Sequence, residues 1–348
     1  MIDNVESCGY SWRAFSRSPM KVPVLILVLL IPCSAFSAAS VEELARAEGE
    51  VVFYSSLNNE QIVTLREAFQ KKYPFLKVDF FRGTSDRVLQ KITTEAQVGR
   101  YSVDVFSSAG FQLHSIKEKG LTASHAVEEP AAFPKGFRDA DGHWTNLHSL
   151  YLSMGYNTKL VAAQEGPKRY DDLLQPQWKG KIGFNIRDVE WFVNMLRIKG
   201  RESGLDFMRK LAAQRPNYHE AHNLLAQLLG AGEFHAVVDT YAHILARERA
   251  RGAPVQWVLV EPVITYLHPV AVARYSPHPN AGRLFLNFLL SKEGQAMLSA
   301  QGRIPSRSDV EPQVLKVTKG MKLFPSDPAL AREYEAANKE LRAIFSGK

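Results

Sequence analysis

The chain has 348 residues, enough for two domains of ordinary size. Apolar residues make up 45% and charged residues 23%, with 22 Gly and 18 Pro, which excludes a disordered, collagen-like or disulfide-scaffold protein. The formal net charge is +7, but both signs are mixed along the whole chain, so no nucleic-acid partner is expected.

Residues 1–39 read as lying outside the fold. Lys21 precedes the apolar run Val22 to Pro32, which is shorter than the roughly 20 residues needed to span a bilayer. The run has the length of a signal-peptide core, and Ser37-Ala38-Ala39 supplies small residues for cleavage after Ala39. Met20 is a natural start for such a signal, which makes residues 1–19 an extension. A lipoprotein anchor at Cys33 is not expected, because Pro32 stands where a small residue belongs. Cleavage would remove Cys8 and Cys33, the only two cysteines. The mature chain would then carry no Cys nucleophile, thiolate metal site or disulfide, and would rest on its hydrophobic core.

The mature chain opens with a β-α-β-α-β pattern. Val51 to Ser56 reads as a buried strand. Asn58 or Asn59 caps a helix whose inward face is Ile62, Leu65, Ala68 and Phe69, and Tyr73-Pro74 stops it. Leu76 to Phe81 is a second strand. Gly83-Thr84-Ser85 turns into a helix presenting Val88, Leu89, Ile92 and Ala96 to the core. Val103 to Phe106 is a third strand, ending in Ser107-Ser108. Such a pattern implies a parallel sheet covered by helices. Ligands of open α/β sheets lie outside the carboxyl ends of strands, which makes Ser55, Ser56, Asn58, Ser107 and Ser108 candidate contacts. The competing reading is that these residues only cap the helices that follow.

A polar turn at Asp139 to Trp144 and a strand at Ser149 to Asn157 look like a crossing into a second lobe. Lys181 to Asn185 is a further strand, followed by Arg187-Asp188-Val189-Glu190-Trp191 at a helix start. Acidic residues there either serve the helix dipole or face a cleft. Residues 215–234 resemble one tetratricopeptide unit, but no second copy follows at a fixed period. Glu220 to Leu229 therefore reads as a single helix. Phe234 to Thr240 is the next strand, with Asp239 and Tyr241 at its end. Gln256 to Val260 and Pro269 to Ala273 are expected as separate strands broken by Pro262 and His268-Pro269. A long helix follows Pro279, with Ala281, Leu284, Phe285, Phe288 and Leu289 on one face. Residues 329–345 read as a charged amphipathic terminal helix, its alternating Arg, Glu and Lys a solvated face.

No catalytic constellation stands out. There is no Gly-Lys-Ser/Thr phosphate loop, no Gly-x-Ser-x-Gly elbow and no His-Glu-x-x-His. His219, His222 and His235 could be argued as a zinc set, but the spacing does not favour it. No enzyme activity and no cofactor are expected.

The order of elements resembles a periplasmic solute-binding protein of an ABC importer, of the ferric-iron-binding type, from about Glu50 to Phe345. The resemblance rests on Val51-Val52-Phe53-Tyr54-Ser55, Val103-Asp104-Val105-Phe106, Tyr156 to Leu160 with Trp178 to Gly183, and Pro277 to Ala281 with Phe288 to Gln295. It implies an α/β, two-lobed, type II-like fold. Each lobe would be a mixed, mostly parallel sheet flanked by helices, with the ligand cleft between them. Residues 40–143 with 268–312 would form lobe one, and 144–267 with 313–348 lobe two. Residues 139–148 and 262–270 would be the hinge. It further implies a monomer in the periplasm that captures a small solute and delivers it to an inner-membrane permease, or presents it to a membrane receptor as a sensor.

Iron-binding members of that family use adjacent tyrosines, a His and a Glu. Here the tyrosine pair reads Tyr241-Ala242, the His position Asn58 and the Glu position Ala109. If Fe(III) is cargo, Tyr241 is the one metal ligand the resemblance carries over. Asp188, Glu190, Trp191, Asp239 and Tyr241 would instead suit an organic cation. Arg187, with the serine-rich strand ends, would suit an anion such as a phosphonate or sugar phosphate, and Asn185 is a further candidate ligand contact. Polyamines and thiamine are the cationic alternatives.

Overall fold

A computed structural model describes residues 40–315 and 320–345. The expected signal segment and both cysteines lie outside the described residues.

The first half follows the sequence pattern closely. Helix α1 (Val41–Glu48) leads into β1 (Glu50–Ser55), α2 (Asn59–Lys72), β2 (Lys77–Arg82), α3 (Ser85–Gln97) and β3 (Val105–Ser107). Strand β1 pairs parallel to both β2 and β3, so the three carboxyl ends lie along one edge. Asn58 and Thr84 cap α2 and α3 through side-chain acceptors, as short polar residues at that position do. Helix α4 (Gly110–Glu118) and the short β4 (Thr122–Ala123) complete this part before the chain crosses over.

The crossing is made by long strands. Strand β5 (Thr145–Asn157) leads to β6 (Ile182–Asn185), α5 (Val189–Lys199), α6 (Arg201–Ala213), β7 (Asn217–His219), α7 (His222–Ala231), β8 (Ala236–Tyr241), α8 (Ala242–Ala250) and β9 (Val255–Val258). Strand β10 (Val263–Ala273) then returns, followed by α9 (Pro279–Leu290), α10 (Lys292–Ala300), β11 (Ile304–Pro305), β12 (Leu323–Pro325) and α11 (Tyr334–Phe345). The main sheet order is β2-β1-β3-β10-β5-β8-β6-β7. Strand β10 runs antiparallel to β3 and β5, and β5 antiparallel to β8 and β9. These two strands therefore belong to both halves of the molecule.

Each half has its own core. Phe53, Phe69, Phe106, Phe285 and Phe288 anchor the first. Phe69 meets Phe285 and Phe288 at centroid distances of 4.9 and 5.4 Å, contacts worth about 0.5–1.5 kcal/mol each beyond area burial. Phe184, Trp191, Phe192, Leu341 and Phe345 anchor the second.

Three elements differ from the sequence reading. The break expected at His268-Pro269 does not end the strand. Strand β10 passes through with a register shift, because Pro269 lacks an N–H and the ladder is re-aimed rather than stopped. Asn146 Oδ1 accepts the His268 N–H at 2.8 Å and keeps the bulge satisfied. The terminal helix is not simply a solvated face, since Ala337, Leu341 and Phe345 enter the second core. Its first residues, Pro328–Glu333, form a 3-10 turn instead.

Gly183 on β6 shows how tightly the second half is packed. A Cβ there would stand 2.6 Å from the Phe234 ring and 3.0 Å from Leu225. Gly183→Ala is expected to cost about 1–3 kcal/mol through overpacking, visible as a lower thermal midpoint.

Candidate functional site

Strands β6 and β8 are parallel neighbours, so Asn185 and Asp239 emerge at the same sheet edge. Helices α5 and α7 start beside them with Asp188 and His222. Two strand carboxyl ends and two helix starts thus converge, and the helix dipole of α5 favours an anionic side chain at its start.

The hydrogen bonds fix how these side chains point. Asp188 Oδ1 accepts the Trp191 N–H at 2.9 Å, capping α5, and the Tyr266 hydroxyl at 2.5 Å. Asp239 Oδ1 accepts the Asn185 N–H at 3.0 Å. Asn185 Oδ1 accepts the Arg187 N–H, so its amide NH2 is the group that donates to His222 Nε2 at 3.1 Å. His222 Nε2 is therefore a lone-pair acceptor, and the ring proton sits on Nδ1, facing the Asp239 carbonyl at 3.4 Å.

The consequence is a crowd of acceptors. His222 Nε2 lies 3.4 Å from Asp188 Oδ2, and Asp188, His222 and Asp239 bring one ligand atom each within 4.8 Å of one another. Asp188 Oδ2 and Asp239 Oδ2 are buried with no hydrogen-bond partner. Burial first, then the Asp188 charge, holds the Asp239 carboxyl well above the usual range. Glu190 is pushed up to about 8 by the same two causes, partly offset by Ser326. Burial lowers His222, against the pull of Asp188. Unpartnered acceptors in a dry site are costly, and a cation or a set of donors relieves them.

Two phenols roof this cluster. The Tyr241 ring lies 4.2 Å from His222 and 5.9 Å from Tyr266. Both phenols are held well above their usual range, mainly by burial and then by Asp188. Tyr241 also stacks on His243 at 5.7 Å. His243 lines a pocket of about 540 Å³ together with Asn58, Gln61, Arg247, Trp257 and Arg303.

Several predicted contacts are not part of this cluster. Trp191 is fully buried against Phe184 and Phe207, so it is core and not cleft wall. Its indole follows the inward period of α5, which outweighs its place one turn from the cap. Arg187 is exposed and its guanidinium is engaged by Glu220 at 3.2 Å, so it does not face the serine-rich strand ends. Ser55 Oγ accepts the Leu57 N–H in a local turn bond, and Ser108 Oγ donates to the Ser85 carbonyl at 3.4 Å, tying the end of β3 to the start of α3. Ser56 is half-buried and its N–H donates to the Ser107 carbonyl. Ser107 Oγ is buried without a partner. His219 and His235 are not among the groups that converge on His222.

Residues 101–325 match the family model of bacterial extracellular solute-binding proteins. The chain belongs to that family. Relatives include a Salmonella typhimurium periplasmic protein to which 2-aminoethylphosphonate binding is ascribed, 24% identical over 68% of this chain and 72% of the relative. The major ferric iron-binding protein of Neisseria meningitidis is 24% identical over 76% of this chain and 83% of its own. Among solved structures, Trichodesmium FutA in complex with iron and citrate superposes with a TM-score of 0.76 at 20% identity, covering 85% of this chain and 99% of that one. The family fold is the two-lobed α/β architecture of periplasmic binding proteins, and the family's activity is solute binding.

The sequence reading missed Tyr266 and Arg303, and it weighed His222 only as a zinc ligand with His219 and His235. Tyr266 lies in a segment read as hinge, and His222 joins Asp188 and Asp239 only through the sheet. Neither has a local signature.

Proposed function

We propose that this chain is the periplasmic binding component of an ABC importer and that its cargo presents a positive charge to Asp188, Asp239 and His222. The lobes, residues 40–143 with 268–312 and 144–267 with 313–348, close about β5 and β10 on a small solute. The monomer hands that solute to a membrane permease without chemical change. The observation that carries the reading is the pair of buried carboxylate oxygens, Asp188 Oδ2 and Asp239 Oδ2, that have no hydrogen-bond partner. Glu190 stands at the same end of α5, protonated near neutral pH until a cation favours its ionised form.

A second reading, ferric iron as cargo, is favoured by Tyr266. It supplies a second phenol beside Tyr241, and phenolates, carboxylates and an imidazole suit a hard cation.

Thermal unfolding of the purified protein separates these readings. The panel is Fe(III)-citrate with a citrate control, phosphonates, sugar phosphates, polyamines and thiamine. A ligand at 100 times its dissociation constant adds about 2.7 kcal/mol. A shift with an amine-bearing solute is expected, and a shift with the iron complex alone would establish iron. Recovery of a chemically altered solute would overturn the binding role. Tyr241→Phe is expected to weaken capture about tenfold, one hydrogen bond in a dry site. Unchanged affinity would assign Tyr241 to packing.

A further inference from the structure

A pocket of about 670 Å³ lies on the opposite face of the crossing strands from the carboxylate cluster. Strand register decides the faces. Thr265 pairs with Tyr151 and Tyr266 with Leu150, and side chains alternate along a strand. Tyr266 and Leu150 enter the second core, where Tyr266 reaches Asp188, while Tyr151 turns the other way and lines the pocket.

The walls are apolar, rigid and pinned. Phe137, Ile304, Met321 and Leu323 line them together with four prolines. Proline has no side-chain rotamer freedom to lose when a ligand settles against it. Gly136, at φ +85°, brings the 134–137 turn onto β12, where a Cβ would stand 2.8 Å from Pro325. Ser308 donates from both N and Oγ to the Ala132 carbonyl, at 2.8 and 3.0 Å. The Ser306 N–H is held by Gln295 Oε1 at 2.7 Å.

Two hydroxyls of this wall are unsatisfied. Ser306 Oγ is buried with no partner. The Tyr151 side chain is 6% exposed and, among the described residues, no group bonds its hydroxyl. Burial pushes that phenol up to about 12, so it keeps its proton and can donate. Unpartnered hydroxyls in a dry wall are costly, and a ligand hydroxyl both donates and accepts. Charge is not what the pocket offers. Arg307 lines it but is held by Glu129 and Asp309 at 2.6 and 2.9 Å, and the exposed Lys135 and Glu311 carry opposite signs. An ion among the apolar walls would lack a buried counter-charge.

We infer that this pocket is a second ligand site, separate from the cargo, for an uncharged aromatic molecule that packs its ring on the proline and Phe137 walls and bonds its one hydroxyl to Tyr151 or Ser306. The pocket shares no lining residue with the carboxylate cluster, so the inference stands or falls apart from the cargo reading.

Fluorescence titration with 2-naphthol, naphthalene and 2-naphthoate tests it. 2-Naphthol is expected to bind one to one and about tenfold more tightly than naphthalene, the worth of one hydrogen bond in a dry site. 2-Naphthoate has the same rings and a charge, and is expected to bind at least about tenfold more weakly than 2-naphthol. The double variant Tyr151→Phe with Ser306→Ala is expected to bring 2-naphthol down to the affinity of naphthalene. Retained naphthalene binding shows that this variant is folded. Met321→Trp, at a half-buried side chain, is expected to fill the pocket and abolish binding of both, with its thermal midpoint as the check on folding. A failure of 2-naphthol to bind saturably would overturn the inference. So would equal affinity for 2-naphthol and naphthalene, tighter binding of 2-naphthoate, or a folded Met321→Trp protein that binds 2-naphthol as before.

Discussion

Asp188→Asn is expected to leave the protein folded while weakening capture of a cationic solute at least about 30-fold. The side chain has two separable jobs. Its Oδ1 caps α5 and accepts the Tyr266 hydroxyl, whereas its charge and its free Oδ2 face the site. Asparagine is as good a cap as aspartate and keeps an oxygen for Tyr266. What it removes is the charge, and truncating one partner of a buried charge pair costs about 2–5 kcal/mol of binding. Asp188→Ala is the structural comparison. It loses the cap, about 1 kcal/mol, and leaves the buried Tyr266 hydroxyl without its acceptor, about 1–3 kcal/mol more. Thermal midpoints and titrations of both variants decide the matter. If the asparagine variant is as unstable as the alanine variant and binds normally, Asp188 is a cap and nothing else.

The same residue shows how far the sequence could be read. The place of Asp188 at a helix start was legible, because a short acidic side chain ahead of an apolar run has few other uses. The strand of Asp239 and Tyr241 was legible too, since Phe234 to Thr240 holds the apolar run Ala236-Val237-Val238. That the two carboxylates meet was not legible, because their contact runs through the pairing of β6 with β8 and the sequence separation carries no period. Trp191 went the other way. Its neighbours in sequence face the site, but the helical turn between cap and core points the indole into Phe184. Arg303 lay in a stretch with no pattern at all. Among the described residues Arg303 forms no ion pair, while Arg307 in the same stretch pairs with Glu129 and Asp309. The β-α-β-α-β core needed no such information, because its helices are amphipathic and β1 and β3 are short apolar runs by themselves.

Solute capture is expected to release protons, and this sets the direction of its pH dependence. In the unliganded site burial and the Asp188 charge hold Asp239 well above the usual carboxylate range, and Glu190 is held up at about 8. Near neutral pH Glu190 therefore keeps its proton, and Asp239 holds its own more tightly than an ordinary carboxyl. A cation favours their ionised forms, so each carboxyl that ionises on binding expels one. Affinity should rise with pH, by up to about tenfold per unit for each proton released, and the Glu190 contribution should level off above about pH 8. The stability of the unliganded protein should move in the opposite direction. The folded value of Glu190 lies above its ordinary 4.5, so its contribution is fully present below that value and is lost as pH rises towards about 8. Glu190→Gln should flatten both profiles. Titrations in two buffers of different ionisation enthalpy count the protons directly. A binding enthalpy independent of buffer, with affinity constant between about pH 6 and 9, would mean that the carboxylates are already ionised or that the cargo's charge lies elsewhere.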